Sequence, residues 1–170
     1  PELVDLALIN AKQNMDPANT EFLIGDIRNC PARLDQPVFD HVVMNPPFYD
    51  HGTYIPPDDP LRARALGHHG LGEKDISQEV RQGSSSQRPA SLDDWMMAAR
   101  ALVKSRGTVT MIYHAESIDD ILAIAHRRFG GITIIPLWPH AGEPARRVIV
   151  RMVKDSYAPA ELHPGLVLHE

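Results

Sequence analysis

Apolar positions along the chain recur with two different periods. Over Pro1–Asn14, Leu3, Val4, Ala7, Leu8 and Ala11 fall at helical spacing, and Glu2 and Asp5 stand in the first turn, where acids complement the helix dipole. Pro1 suits the first helical position, because its missing N–H has no intrahelical partner there in any case. Asp16-Pro17 ends this helix. The short apolar run Glu21–Ile24, closed by Gly25-Asp26, predicts a buried strand ending in a turn. Residues 27–37 read as a loop or a short helical turn. Phe39–Met44 predicts a second strand, which Asn45-Pro46-Pro47-Phe48 must stop, since proline cannot donate to a ladder.

Residues 49–90 show neither period and are punctuated by Pro56, Pro57, Pro60, glycines and Ser84-Ser85-Ser86, so they read as an irregular segment with a functional role or as disorder. Order returns at Ser91, a predicted N-cap followed by Asp93 and Asp94. Trp95, Ala98, Ala99, Leu102 and Val103 form the apolar face of the helix it starts, and Gly107 is expected to stop it. Thr108–Tyr113 predicts a strand, Ser117–Phe129 a helix ended by Gly130-Gly131, and Ile132–Trp138 and Arg147–Lys154 two strands joined as an antiparallel pair. A last apolar stretch, Leu166-Val167-Leu168, lies in the tail. Strands largely alternate with helices, which predicts an α/β domain with a mainly parallel sheet and an antiparallel C-terminal hairpin. Asp26 and Asn45–Phe48 then follow strands directly. They lie at carboxyl ends, where open α/β sheets bind ligands.

Composition narrows the picture. The 170 residues suit one domain, and 43% hydrophobic with 23% charged residues is ordinary for a folded globular chain. A net charge of -5 excludes a generally basic nucleic-acid binder, though not a local basic patch. The one cysteine, Cys30, excludes an internal disulfide framework and a cysteine-rich zinc site. No apolar run approaches the roughly 20 residues that span a bilayer, and no signal-peptide pattern is present. His68-His69 lacks a third ligand at useful spacing, so no metal is expected.

The motif Asn45-Pro46-Pro47-Phe48 after a Phe-Asp-apolar strand resembles that of the class I S-adenosylmethionine-dependent methyltransferases acting on amino nitrogens. The helix from Leu92 to Leu102 and the Gly107–Tyr113 strand resemble the units that follow in that family. Within it the sequence is most similar to the bacterial tRNA1(Val) adenine-N6 methyltransferases, which have a Pro-Pro-aromatic motif, an Arg/Ala-rich loop, here Arg62-Ala63-Arg64-Ala65, and a terminal antiparallel hairpin. The resemblance implies a Rossmann-like sheet, S-adenosylmethionine as cofactor, an RNA substrate and a cytoplasmic enzyme without metal. It implies that Asn45, Pro46, Pro47 and Phe48 carry the chemistry. Asp26, Ile27 and Asn45 would touch the cofactor, with Asp26 at its adenine amino group and Ile27 on the ring. Phe48, Tyr49, Arg62 and Arg64 would touch the substrate.

The chemistry suits the motif. An exocyclic amino group is a poor nucleophile because its lone pair is delocalised. The Asn45 side-chain oxygen and the Pro46 carbonyl can accept hydrogen bonds from it at two fixed points, the prolines hold those acceptors in place, and Phe48 offers a stacking face. The plainer reading is a rigid Pro-Pro turn with Phe48 in the core, and for Asp26 a turn residue bonding its own backbone. Arg62, Arg64, Arg81, Arg88 and Arg146-Arg147 read equally as phosphate contacts or as solvated charge. Other readings of the substrate are a protein glutamine and a ribosomal-RNA guanine, and a further one is a non-catalytic binding module of the same fold. The family opens its cofactor domain with a strand, a glycine-rich loop and a second strand ending in a ribose-binding acid. Neither strand is found before Pro1–Asn14, so residues 1–170 are expected to be a partial methyltransferase domain that alone binds S-adenosylmethionine weakly or not at all and is inactive.

Overall fold

A computed structural model describes residues 2–14, 20–23, 25–30, 39–47 and 90–169. Helix α1 spans Glu2–Asn14, as its periodicity predicts. The first long-range element is strand β1, Phe39–Met44, with the predicted bounds. Helix α2, Leu92–Leu102, starts at a complete capping box. The Asp94 amide donates to Ser91 Oγ at 3.2 Å, and the Ser91 amide donates to Asp94 Oδ2 at 2.8 Å. Its C-terminal carbonyls are closed by a cation: Lys154 Nζ donates to the carbonyls of Arg100 (2.9 Å) and Val103 (2.8 Å).

Strand β2, Val103–His114, leads through a 3-10 turn, Ala115–Ser117, into helix α3, Ile118–Ala125. Strands β3, Phe129–Trp138, and β4, Arg147–Lys154, form the expected antiparallel pair. Two short strands, β5 (Glu161–Leu162) and β6 (Leu166–Val167), both pair parallel with β3. The sheet runs β1-β2-β4-β3-β5, with β6 also on β3. This is an α/β fold with a mixed sheet. β1 and β2 are parallel, whereas β4 is inserted antiparallel between β2 and β3, so both of the long pairings are antiparallel.

Period-two alternation puts one face of the sheet in the core. Val109, Met111 and Tyr113 of β2 stand opposite Met152, Val150 and Val148 of β4, all buried, and Met44 of β1 joins Met111 in register. Met96 and Ala99 of α2 and Ile121 and Ala125 of α3 cover this face. Met96, Met111 and Met152 are fully buried, and their unbranched side chains suit the irregular gap between two short helices and a twisted sheet.

Three elements depart from the sequence reading. Residues 20–23 have no regular structure and Leu23 is 65% exposed, so the expected strand over Glu21–Ile24 does not form among the described residues. An apolar run becomes a strand only when a ladder partner is in reach, and β1 pairs with β2 alone in the sheet order. The helix expected over Ser117–Phe129 stops at Ala125: His126 leaves it as the C-cap (φ -52, ψ 129), and Arg127, in a left-handed conformation (φ 61), turns the chain so that Phe129 enters the core as the first residue of β3. Gly107 does not stop α2. It lies within β2, where a Cβ would come within 2.7 Å of the Asp40 carbonyl oxygen, so it permits close approach to β1 just after a bulge at Arg106 (φ 66).

Candidate functional site

Asn45 leaves the carboxyl end of β1 and is exposed, Pro46 behind it is fully buried, and Pro47 is half-buried. The motif therefore has one side chain facing outward on a ring clamped in the protein, which is the arrangement a rigid acceptor needs. Because β1 and β2 are parallel, the carboxyl end of β2 lies at the same edge of the sheet. There His114 Nδ1 stands 3.6 Å from Glu116 Oε1, and the His114 ring meets Tyr113 edge-on. Sequence reasoning gave His114 and Glu116 no role, since neither belongs to a motif. Phe48, Tyr49, Arg62 and Arg64, together with His68 and His69, lie outside the described residues.

The second group is a turn over Asp26–Asn29. The Asn29 amide donates to the Asp26 carbonyl at 3.0 Å, and the Arg28 amide donates to Asp26 Oδ1 at 2.9 Å. Locally, then, Asp26 does cap its own turn. Beyond that, Arg28 wraps back on it. Nε donates to Oδ1 at 2.9 Å and Oδ2 at 3.1 Å, and Nη2 donates to Oδ2. The Arg28 guanidinium is held above its ordinary pKa, first by this hydrogen bond from its side chain to Asp26, with the charges of Asp26 and Asp94 adding to it against the cost of burial. Ile27 beside it is half-buried.

Helix α2 connects the two groups. Its buried residues pack on β1 and β2. Its first turns meet Arg28, where a shallow cavity of about 200 Å³ is lined by Arg28, Asp94, Met97 and Ala98. Arg28 was not foreseen from the sequence, although its place two residues after a turn aspartate was a usable signal: an Asp-x-Arg spacing lets the side chain fold back onto the carboxylate.

The remaining candidates are less central. Arg147 begins β4, and Arg146 is exposed at the hairpin, its carbonyl accepting from the Ala115 amide at 3.1 Å. Cys30 is a half-buried free thiol. Among the described residues no group of three His, Cys, Asp or Glu side chains is placed to hold a metal, and no helix is long and apolar enough to cross a membrane.

No protein-family model matches this chain, and no curated protein does. Among solved structures, that of a predicted O-methyltransferase, protein Atu636 from Agrobacterium tumefaciens, matches with a TM-score of 0.63 and 24% identity. The match covers 99% of this chain and 65% of that protein, so the chain spans about two thirds of its structural neighbour. The chain thus shares the Rossmann-like α/β fold of that structure.

Proposed function

We propose that this chain carries the substrate side of an S-adenosylmethionine-dependent methyltransferase that modifies an exocyclic amino nitrogen, with adenine N6 in tRNA as the target. The observation that carries the reading is the end of β1, where exposed Asn45 is anchored by fully buried Pro46 at the carboxyl edge of a parallel strand pair in a methyltransferase-type sheet. The neighbouring structure's name speaks of oxygen as the acceptor. A hydroxyl donates one hydrogen bond, however, and an amino group donates two, and the Asn45 side-chain oxygen with the Pro46 carbonyl supplies two acceptors.

The residues present fit the adenosyl end of the cofactor. Asp26 offers a carboxylate, its side chain 36% exposed, in a turn next to half-buried Ile27, the pairing an adenine amino group and ring require. S-adenosylmethionine, when bound, supplies an electrophilic methyl group on a sulfonium. The chain's own task is orientation. Asn45 and the Pro46 carbonyl hold the amino group so that its nitrogen lone pair points at the methyl group. Burial of Pro46 keeps those acceptors from drifting, so that little reorganisation is left for the moment of transfer.

The tRNA target rests on the likeness of Asn45–Phe48 and Arg62–Arg64 to the tRNA adenine methyltransferases. Mass spectrometry of tRNA nucleosides from cells with and without the full-length protein tests it. Loss of one N6-methyladenosine is expected. An unchanged profile removes tRNA adenine as the target and directs the search to protein glutamine.

A further inference from the structure

Both oxygens of the Asp26 carboxylate are already engaged. An ionised carboxyl group has about four lone-pair sites. Here three N–H groups cover the two oxygens: Oδ1 accepts from the Arg28 amide at 2.9 Å, Oδ2 accepts from Nη2, and the single Nε–H is shared between Oδ1 (2.9 Å) and Oδ2 (3.1 Å). A purine amino group must compete with these three donors for the same two oxygens. The backbone amide is fixed by the turn, whereas the guanidinium sits on a flexible stem and is partly exposed, its side chain at 21%. The guanidinium is therefore what yields. The structure also holds a place for it: the cavity lined by Arg28, Asp94, Met97 and Ala98, where a second carboxylate belongs to the first turn of α2. The charge of Asp94 already acts on Arg28.

We propose that Arg28 is a specificity-determining gate on Asp26: its guanidinium occupies the carboxylate until an amino-bearing purine displaces it, and the cavity beside Asp94 receives the displaced group. The proposal rests on Asp26 being the acceptor for the cofactor's adenine amino group, and it adds a selection at that position. A 6-amino purine exchanges one donor for another on Asp26. A 6-oxo purine brings an acceptor to an acceptor and gains nothing by displacing Arg28. Since an exposed ion pair of this kind is weak, the gate costs a ligand only a small factor in affinity, about twofold to fivefold.

The test is a pair of NMR titrations, run to millimolar ligand on the 170-residue chain, with S-adenosylhomocysteine and with its 6-oxo analogue S-inosylhomocysteine. Arg28→Met is expected to bind the adenosyl ligand about twofold to fivefold more tightly than the unaltered chain, with no gain for the inosyl ligand. Arg28→Lys, which keeps the charge but not the fork, is expected to give a smaller gain. Dispersed amide spectra check that each variant is folded. If Asp26→Asn weakens the adenosyl ligand while Arg28→Met leaves it unchanged or weaker, the gate is wrong and the role of Asp26 stands. If Asp26→Asn changes nothing, the role of Asp26 fails and the gate fails with it; if the unaltered chain binds neither ligand at millimolar concentration, the gate does not operate in this chain and is overturned for it. Equal gains for both ligands in Arg28→Met also overturn the gate, because the amino group is then not what is selected.

Discussion

Asn45 and Pro46 divide the work of one motif. The asparagine is exposed and makes little contribution to the core, while the proline ring is fully buried and fixes the backbone that carries both acceptors. On the proposed reading, function and stability are therefore separable here. Asn45→Ala in the full-length protein is expected to lower methyl transfer by about 100-fold or more, the usual effect of removing one preorganised polar contact at a reacting group. Surface truncation of this kind changes stability by no more than about 0.5 kcal/mol. A methyl-transfer assay beside a thermal melt checks both halves, and survival of activity removes the motif from the chemistry. This much was readable in the residues, since Asn-Pro-Pro after an apolar strand has a mechanical meaning without coordinates. The Asp26–Arg28 pair was signalled only by its spacing. Sequence shows two residues near each other but cannot show that a long side chain folds back rather than reaching into solvent.

At the scale of elements, local signals worked where the chain closes on itself and failed where a neighbour decides. Ser91 was legible as an N-cap because a capping box is complete within four residues. Ser91→Ala is expected to cost about 1 kcal/mol, read as a lower midpoint in urea unfolding with an unchanged slope. Its effect extends beyond the helix, because Asp94 belongs both to the box and to the wall of the cavity beside Arg28. The glycines misled for the opposite reason. Gly107 and Gly130 look like helix stops, but both are set by close contacts between distant segments. A Cβ at Gly130 would stand 2.1 Å from the Ser156 carbonyl oxygen, a clash with chain far downstream. His126, a residue with no stop signal of its own, leaves the helix as the C-cap of α3 (φ -52, ψ 129), and Arg127 completes the turn. The run Glu21–Ile24 has strand composition, but among its described residues, 21–23, no ladder forms, and composition alone does not supply one.

Across the whole molecule, stability is concentrated on one face of the sheet. Met96, Met111, Met152, Ile121, Val109 and Val150 are all 0% exposed, whereas Val43, on the opposite face of β1, is 80% exposed. Met111 lies in register with Met44 of β1 and Val150 of β4, so it ties the strand bearing the motif to the antiparallel half of the sheet. Met111→Ala is expected to destabilise by about 2–5 kcal/mol through lost burial and a residual cavity, measurable by denaturant unfolding. A loss below about 1 kcal/mol instead means that the core is not closed around that position. The sequence by itself determined what depends on short-range periodicity and steric rules: the α/β class, the Ser91 cap, the bounds of β1 and the proline stop that leaves Asn45 at a strand end. Only the tertiary structure decided what depends on partners far along the chain. It set the antiparallel insertion of β4 and the true ends of α2 and α3. It also recast the glycines as points of close approach and closed Arg28 over Asp26. Hydrogen-bond ladders and ion pairs form between groups that space brings together, and their order along the chain does not encode that distance.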